Sequence, residues 1–165
     1  MAAAASGADE IVAVDRVGHR LTLAAELGAT HTIDTTGREP ADMAAEIVST
    51  TRTGVNVALD TTGSPALIAA AVESLATPGT ASVITSSGAP VTVPPGSLWV
   101  KGRSLRGSMG GHINPTGFIP RLLELHAQGR FPVDRLVRDY PFAEVNTAMA
   151  DSASGAAIKP VLTFN

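Results

Sequence analysis

Cysteine is absent from all 165 residues, which excludes a disulfide framework and any thiolate-based zinc site within this chain. Neither sign of charge dominates. With 12 basic and 15 acidic side chains the formal net charge is −3, so no cationic face is offered to nucleic acid or to an anionic membrane, and neither is expected as a partner. Long apolar runs are missing as well: hydrophobic residues make up 44% of the chain, but they are mostly Ala, Val and Leu in stretches too short to span a bilayer. The N-terminal alanines lack a basic flank and an extended apolar stretch, so they do not read as a secretory signal, and a cytoplasmic location is expected. No Gly-x-Ser-x-Gly elbow surrounds any serine. His19, His31, His112 and His126 fall on different elements without metal-ligand spacing, which leaves them surface or capping roles.

The absence with the largest consequence lies ahead of Asp15. The run Glu10-Ile11-Val12-Ala13-Val14-Asp15 has the character of a buried parallel strand ending in an acidic residue. Such a strand is the second of a dinucleotide-binding unit, whose carboxylate accepts hydrogen bonds from the adenosine ribose. That unit demands a preceding strand and a Gly-rich turn about 20 residues upstream. Here only Met1-Ala2-Ala3-Ala4-Ala5-Ser6-Gly7-Ala8-Asp9 precede it. The expectation is a chain that starts inside the crossover helix of a larger protein. The simpler alternative for Asp15 is a turn or helix cap. Gly107, Gly110 and Gly111 do not lead from a strand into a helix, so they read as a loop and not as a phosphate cradle.

Beyond Asp15, strand-like and helical runs alternate, the signature of a parallel sheet covered on both faces. Strands are expected over residues 11–15, 30–34, 54–60 and 81–85, with a further extended run at 103–108. Helices are expected over 18–27, 40–51 and 66–75. Gly28 stops the first of these, and Ser64 followed by Pro65 marks the start of the third. The third is expected to end near Pro78-Gly79, and the prolines within 90–96 favour edge or loop structure. A helix over 118–128, an extended piece at 136–140, a short helix at 143–150 and a last strand at 160–164 complete the chain. The fold class expected is α/β, an incomplete Rossmann-type doubly wound parallel sheet. One truncated dinucleotide-binding domain over residues 1–165 accommodates it.

Taken together, several of these runs resemble the coenzyme-binding half of the zinc-containing medium-chain alcohol dehydrogenases. They are Ile11-Val12-Ala13-Val14-Asp15 with Arg20, Glu26-Leu27-Gly28-Ala29-Thr30, Leu59-Asp60-Thr61-Thr62-Gly63, and Ile158-Lys159-Pro160-Val161-Leu162-Thr163-Phe164. Leu105-Arg106-Gly107-Ser108, Phe118-Ile119-Pro120 and Gln128-Gly129-Arg130-Phe131-Pro132 are most similar to the aryl- or benzyl-alcohol branch. The likeness covers nearly the whole chain in order.

The resemblance implies NAD as coenzyme, with Asp15 on the adenosine ribose and a 2′-phosphate disfavoured by its charge. Arg16 and Arg20 would flank the adenosine, Thr61, Thr62 and Gly63 would line it, and Lys159 would approach the pyrophosphate. Thr85, Ser86, Ser87, Ser108 and Met109 would meet the nicotinamide; Ser86 stands where many relatives carry glycine. A homodimer through residues 91–108, with Trp99 and Leu105 near the contact, is implied too. The family's catalytic zinc sits on Cys and His ligands of a separate N-terminal domain that has no counterpart here, so no catalytic or metal residue is assigned. An enzyme fragment inactive alone is the reading that results. Its rival is a non-catalytic nucleotide-sensing or dimerisation module on the same fold, since one fold hosts both. A methyltransferase-like fold shares the acidic strand end but not the ending at residues 159–164.

Overall fold

Short apolar runs bounded by glycine, proline and aspartate become parallel strands in the computed structural model, which describes residues 1–86 and 88–164, His112 by its backbone alone. After a four-residue helix α1 (Ala2–Ala5) come β1 (Val12–Asp15), α2 (Gly18–Glu26), β2 (His31–Asp34), α3 (Pro40–Thr51) and β3 (Val55–Asp60). Next follow α4 (Pro65–Glu73), β4 (Leu75–Val83), α5 (Pro95–Trp99) and β5 (Ser104–Gly107). The remainder holds α6 (Pro115–Ala127), β6 (Val137–Pro141), α7 (Val145–Ser154) and β7 (Lys159–Thr163). Contacts divide the chain into two units, residues 10–115 and residues 1–9 with 116–165.

Within the larger unit, β1 pairs with β2, and β3, β4 and β5 form a second sheet in that order; every pairing is parallel. Met43, Ala44 and Ile47 lie on one face of α3 and are buried together with Ile33 of β2 and Ala70 of α4. Burying each large apolar side chain of such a cluster contributes about 1.5–3 kcal/mol. Val12 of β1 and Val55 of β3 rest on the same cluster. α2 packs on β1 and β2, whereas α3 packs on α4 and β3. β1 and β3 thus share one apolar cluster under α3 and α4. β1 and β3 do not pair with each other.

Several boundaries differ from the sequence reading for identifiable reasons. α4 ends at Glu73, not at residue 75, and β4 already begins at Leu75, running through Pro78-Gly79 to Val83. Two contacts hold that early segment extended. Leu75 pairs with Val55, and the buried Arg103 guanidinium donates to the carbonyls of Glu73 (3.2 Å), Ala76 (3.4 Å) and Leu75. The register slips between Val55 and Val57, a bulge that tolerates a proline opposite. Gly54 opens β3 at φ 86°, where an added Cβ would lie 2.6 Å from the Ser74 carbonyl oxygen. Residues 95 and 96, the end of the run expected to be edge or loop structure, instead open α5: Pro95 takes the first helical position, and the Ser97 hydroxyl donates to the Glu73 carboxylate. Ser64 is the N-cap residue of α4 as expected, but its side chain makes no capping bond.

In the smaller unit β6 and β7 pair in parallel, and Tyr140, Ala148 and Ala157 form a buried cluster. α6 starts at Pro115, three residues before the expected start. A 3₁₀ turn over Phe142–Glu144 delays α7 to Val145. The Tyr140 hydroxyl donates to Asp151 Oδ2 (2.6 Å), and burial together with this bond raises the phenol pKa. Among the described residues, no helix is long and apolar enough to cross a membrane.

Candidate functional site

The residues proposed from sequence in the larger unit gather at the carboxyl ends of its parallel strands. That is where open α/β sheets place their ligands. Asp15 ends β1, and its Oδ1 accepts the N–H groups of Arg16 (2.7 Å) and Val17 (3.0 Å), leading the chain into α2. Among the described residues its Oδ2 accepts no hydrogen bond, so one oxygen shapes the backbone while the other is open to a ligand. Both sequence readings of Asp15, cap and ribose acceptor, are therefore compatible with its geometry.

Thr36 ties the end of β2 to this turn. Its hydroxyl donates to the Arg16 carbonyl (3.1 Å), while its N–H donates to Asp34 Oδ1 (2.8 Å). These bonds to Thr36 hold the Asp34 carboxyl below its ordinary pKa. Nothing in the sequence reading singled out Thr36; the signal was an Asp-x-Thr spacing after a strand, the pattern of an Asx turn. Arg16 is exposed, whereas Arg20 is half-buried on α2 with its Nε buried and unpartnered among the described residues.

At the end of β3 the buried Asp60 carboxylate organises the next loop. Oδ1 accepts from the Thr62 hydroxyl (2.7 Å) and Oδ2 from the Gly63 N–H (2.9 Å), while Thr62 Oγ1 accepts from the Ser64 N–H (3.1 Å). Asp60 and Thr62 thus hold the loop that leads into α4. Gly63 has φ 69°, and a Cβ there would come within 2.7 Å of the Ser86 carbonyl oxygen and 3.2 Å of Thr85 Cγ2. The structure so brings Gly63 against Thr85 and Ser86, both exposed after β4. Ser108 joins them through its N–H, which donates to the Val83 carbonyl (2.9 Å); Met109 beside it is exposed. Ser87 lies outside the described residues. Lys159 belongs to the other unit, where it opens β7 beside Val137 and is exposed.

The Gly63 geometry gives a quantitative expectation. Gly63→Ala adds a backbone clash to the strain of a left-handed conformation, and unfolding in urea should register a loss of about 2–3 kcal/mol. Gly37→Ala is the control, since Gly37 has φ 68° but nothing within 4 Å of an added Cβ. It should cost only about 1 kcal/mol. Equal losses at the two positions would show that the approach to Ser86 carries no energetic weight.

With no cysteine in the chain, and among the described residues no cluster of His, Asp or Glu able to hold a metal ion, the residues present do not fit a catalytic zinc.

Comparison with known proteins agrees with this geometry. The family model described as "Zinc-binding dehydrogenase" matches residues 1–128. Geraniol dehydrogenase of Castellaniella defragrans is 38% identical over 166 residues, a match that covers 99% of this chain and 44% of that protein. The crystal structure of benzyl alcohol dehydrogenase from Acinetobacter calcoaceticus superposes with a TM-score of 0.94 at 38% identity, covering 99% of this chain and 45% of that one. An alcohol dehydrogenase zinc-binding domain protein from Burkholderia ambifaria gives a TM-score of 0.94 at 42% identity, with 99% and 44% covered. The chain thus spans less than half the length of the relatives it matches.

Proposed function

The chain belongs to the zinc-binding dehydrogenase family, and from that premise we propose that it is the coenzyme-binding part of an NAD-dependent alcohol dehydrogenase, one truncated dinucleotide-binding domain acting in the cytoplasm. The observation that carries this reading is Asp15: a carboxylate at the end of a parallel strand, fixed through one oxygen with the other available to ribose hydroxyls. Oxidation of an alcohol to an aldehyde, with aromatic alcohols favoured, is the reaction proposed for the whole enzyme. Two relatives support it by name, geraniol and benzyl alcohol dehydrogenase. Both alcohols carry the hydroxyl on a carbon next to a π-system.

Around NAD, the proposal gives Asp15 the adenosine ribose, Arg16 and Arg20 the flanks of the adenosine, and Thr61, Thr62 and Gly63 its lining. Thr85, Ser86, Ser108 and Met109 are assigned to the nicotinamide side, and Lys159 to the pyrophosphate. NAD supplies the hydride acceptor when bound; this chain's residues supply orientation and electrostatics. Saturation-transfer NMR tests the assignment even where binding is weak. Adenosine-ribose protons of NAD should receive saturation from the protein, those of NADP much less, and Asp15→Asn should remove the difference. Equal transfer to both coenzymes in the unsubstituted chain would refute the role of Asp15.

We also propose a homodimer through residues 91–108. Support comes from β5, whose outer edge has no strand partner among the described residues, and from Trp99, 77% exposed beside the exposed Val100. Unpaired edges associate readily. Leu105 packs against the Val72, Leu75 and Ala81 cluster, so it backs the contact from within. Light scattering at tens of micromolar should therefore give a dimer mass that Trp99→Asp converts to a monomer. A monomer mass before substitution would count against the proposal.

A further inference from the structure

β1 and β2 both end in aspartate, and the two residues stand opposite each other in the parallel register, Asp15 beside Asp34. Like charges so placed repel unless their surroundings engage them. Each is engaged by its own turn: Asp34 Oδ1 accepts the Thr36 N–H (2.8 Å), as Asp15 Oδ1 accepts those of Arg16 and Val17. The turns are then joined to each other. The Thr35 N–H closes the ladder on the Asp15 carbonyl (3.0 Å), and the Thr36 hydroxyl reaches beyond it to the Arg16 carbonyl (3.1 Å). That carbonyl and the Val17 N–H belong to one planar peptide group. The plane is therefore held at both ends, by Thr36 on its oxygen and by Asp15 Oδ1, 3.0 Å away, on its nitrogen.

We propose that Thr36 is a positioning residue for the Asp15 carboxylate, acting through the Arg16–Val17 peptide, and that it thereby sets the preference for a ribose 2′-hydroxyl over a 2′-phosphate. The proposal rests on the assignment of the adenosine ribose to Asp15. The three peptide planes of this turn are fixed by different means. The first, Asp15–Arg16, is tied to the ladder through its carbonyl. The third, Val17–Gly18, is tied to the start of α2, because the Val17 carbonyl accepts from the N–H groups of Arg20 (3.0 Å) and Leu21 (3.3 Å). The middle plane is left to side chains, Thr36 and Asp15. Since a peptide plane turns as a unit, releasing its carbonyl to water lets its N–H swing, and the carboxylate bonded to that N–H loses its fixed angle. Oδ2 then points in several directions. An acceptor that is not held in place before binding has to be ordered during it, and discrimination between ligands falls. Asp34 serves the same purpose one step back, by holding the Thr36 backbone through Oδ1.

The test compares Thr36→Val, which keeps the shape and removes the hydroxyl, with Thr36→Ser, which keeps the hydroxyl. Thr36 is exposed, so neither variant disturbs the core. One readout needs no coenzyme: amide exchange at Val17 should quicken about threefold in Thr36→Val, the equilibrium weight of one neutral hydrogen bond, and stay unchanged in Thr36→Ser. The other is saturation transfer to the adenosine-ribose protons of NAD and NADP. The ratio of the two signals should fall about threefold in Thr36→Val and hold in Thr36→Ser. Unchanged Val17 exchange in Thr36→Val, or equal behaviour of the two variants, would overturn the proposal. So would an equal loss of NAD and NADP signal with the ratio intact, which is what a merely structural Thr36 would give. Equal signals from both coenzymes in the unsubstituted chain would refute the ribose assignment of Asp15 instead, and the coenzyme role of Thr36 would fall with it even where the Val17 response stood.

Discussion

Purified alone, the chain will not oxidise benzyl alcohol with NAD at any zinc concentration. Removing hydride from an alcohol carbon requires the hydroxyl oxygen to be polarised and its proton to leave, and in zinc-type dehydrogenases the metal provides that polarisation as a Lewis acid. A Lewis acid contributes several kcal/mol to the barrier, and each 1.36 kcal/mol is about a factor of ten in rate. No cysteine is available, and the described residues gather no other metal-holding group, so added zinc has no site at which to act. Turnover should therefore fall from the order of 10 s⁻¹, typical of enzymes, to the uncatalysed background. NADH absorbance over hours at high protein concentration measures it. Turnover proportional to protein concentration and abolished by a chelator would sink both this expectation and the division of labour behind it.

NAD itself should bind with a Kd of about 1 mM or poorer, roughly −4 kcal/mol. Dinucleotide sites hold the pyrophosphate on backbone N–H groups of a Gly-rich turn at a helix N-terminus, where the helix dipole adds partial positive charge. Ahead of β1 this chain has only the four-residue α1 and an irregular stretch. Asp15 offers an acceptor to the ribose, but an acceptor cannot replace donors to a phosphate. One of its oxygens is already committed to Arg16 and Val17. Calorimetry is the direct measurement: micromolar affinity lost in Asp15→Ala would overturn the expectation, by showing that another segment or a partner subunit supplies the pyrophosphate donors.

Much of the fold was legible wherever local signals agreed with burial. Pro40 at the start of α3 and the spacing of Met43, Ala44 and Ile47 gave its observed limits, and β1 and β2 lie within one residue of the strands expected. Failures came where a distant partner decides. Pro78-Gly79 reads as a break, yet the chain stays extended there because Arg103, more than 25 residues later, takes the carbonyls of Leu75 and Ala76. The prolines at 94 and 95 hid α5 because proline both ends strands and begins helices. At the site, Asp15 and the Thr61–Gly63 loop were visible as motifs. The grip of Asp60 on that loop was not, since a buried carboxylate and a turn aspartate look alike in sequence.

That β1 and β3 do not pair with each other bears on how the chain behaves in concentrated solution. Strands that border solvent usually carry lysine, proline or an inward charge that discourages other chains from adding on. Val12, Val14, Val57 and Leu59 have none of these, and Val55-Asn56-Val57-Ala58-Leu59 is an uncharged, proline-free segment of the kind that seeds aggregation when left open. Self-association through β3 is therefore the hazard expected of this chain at high concentration.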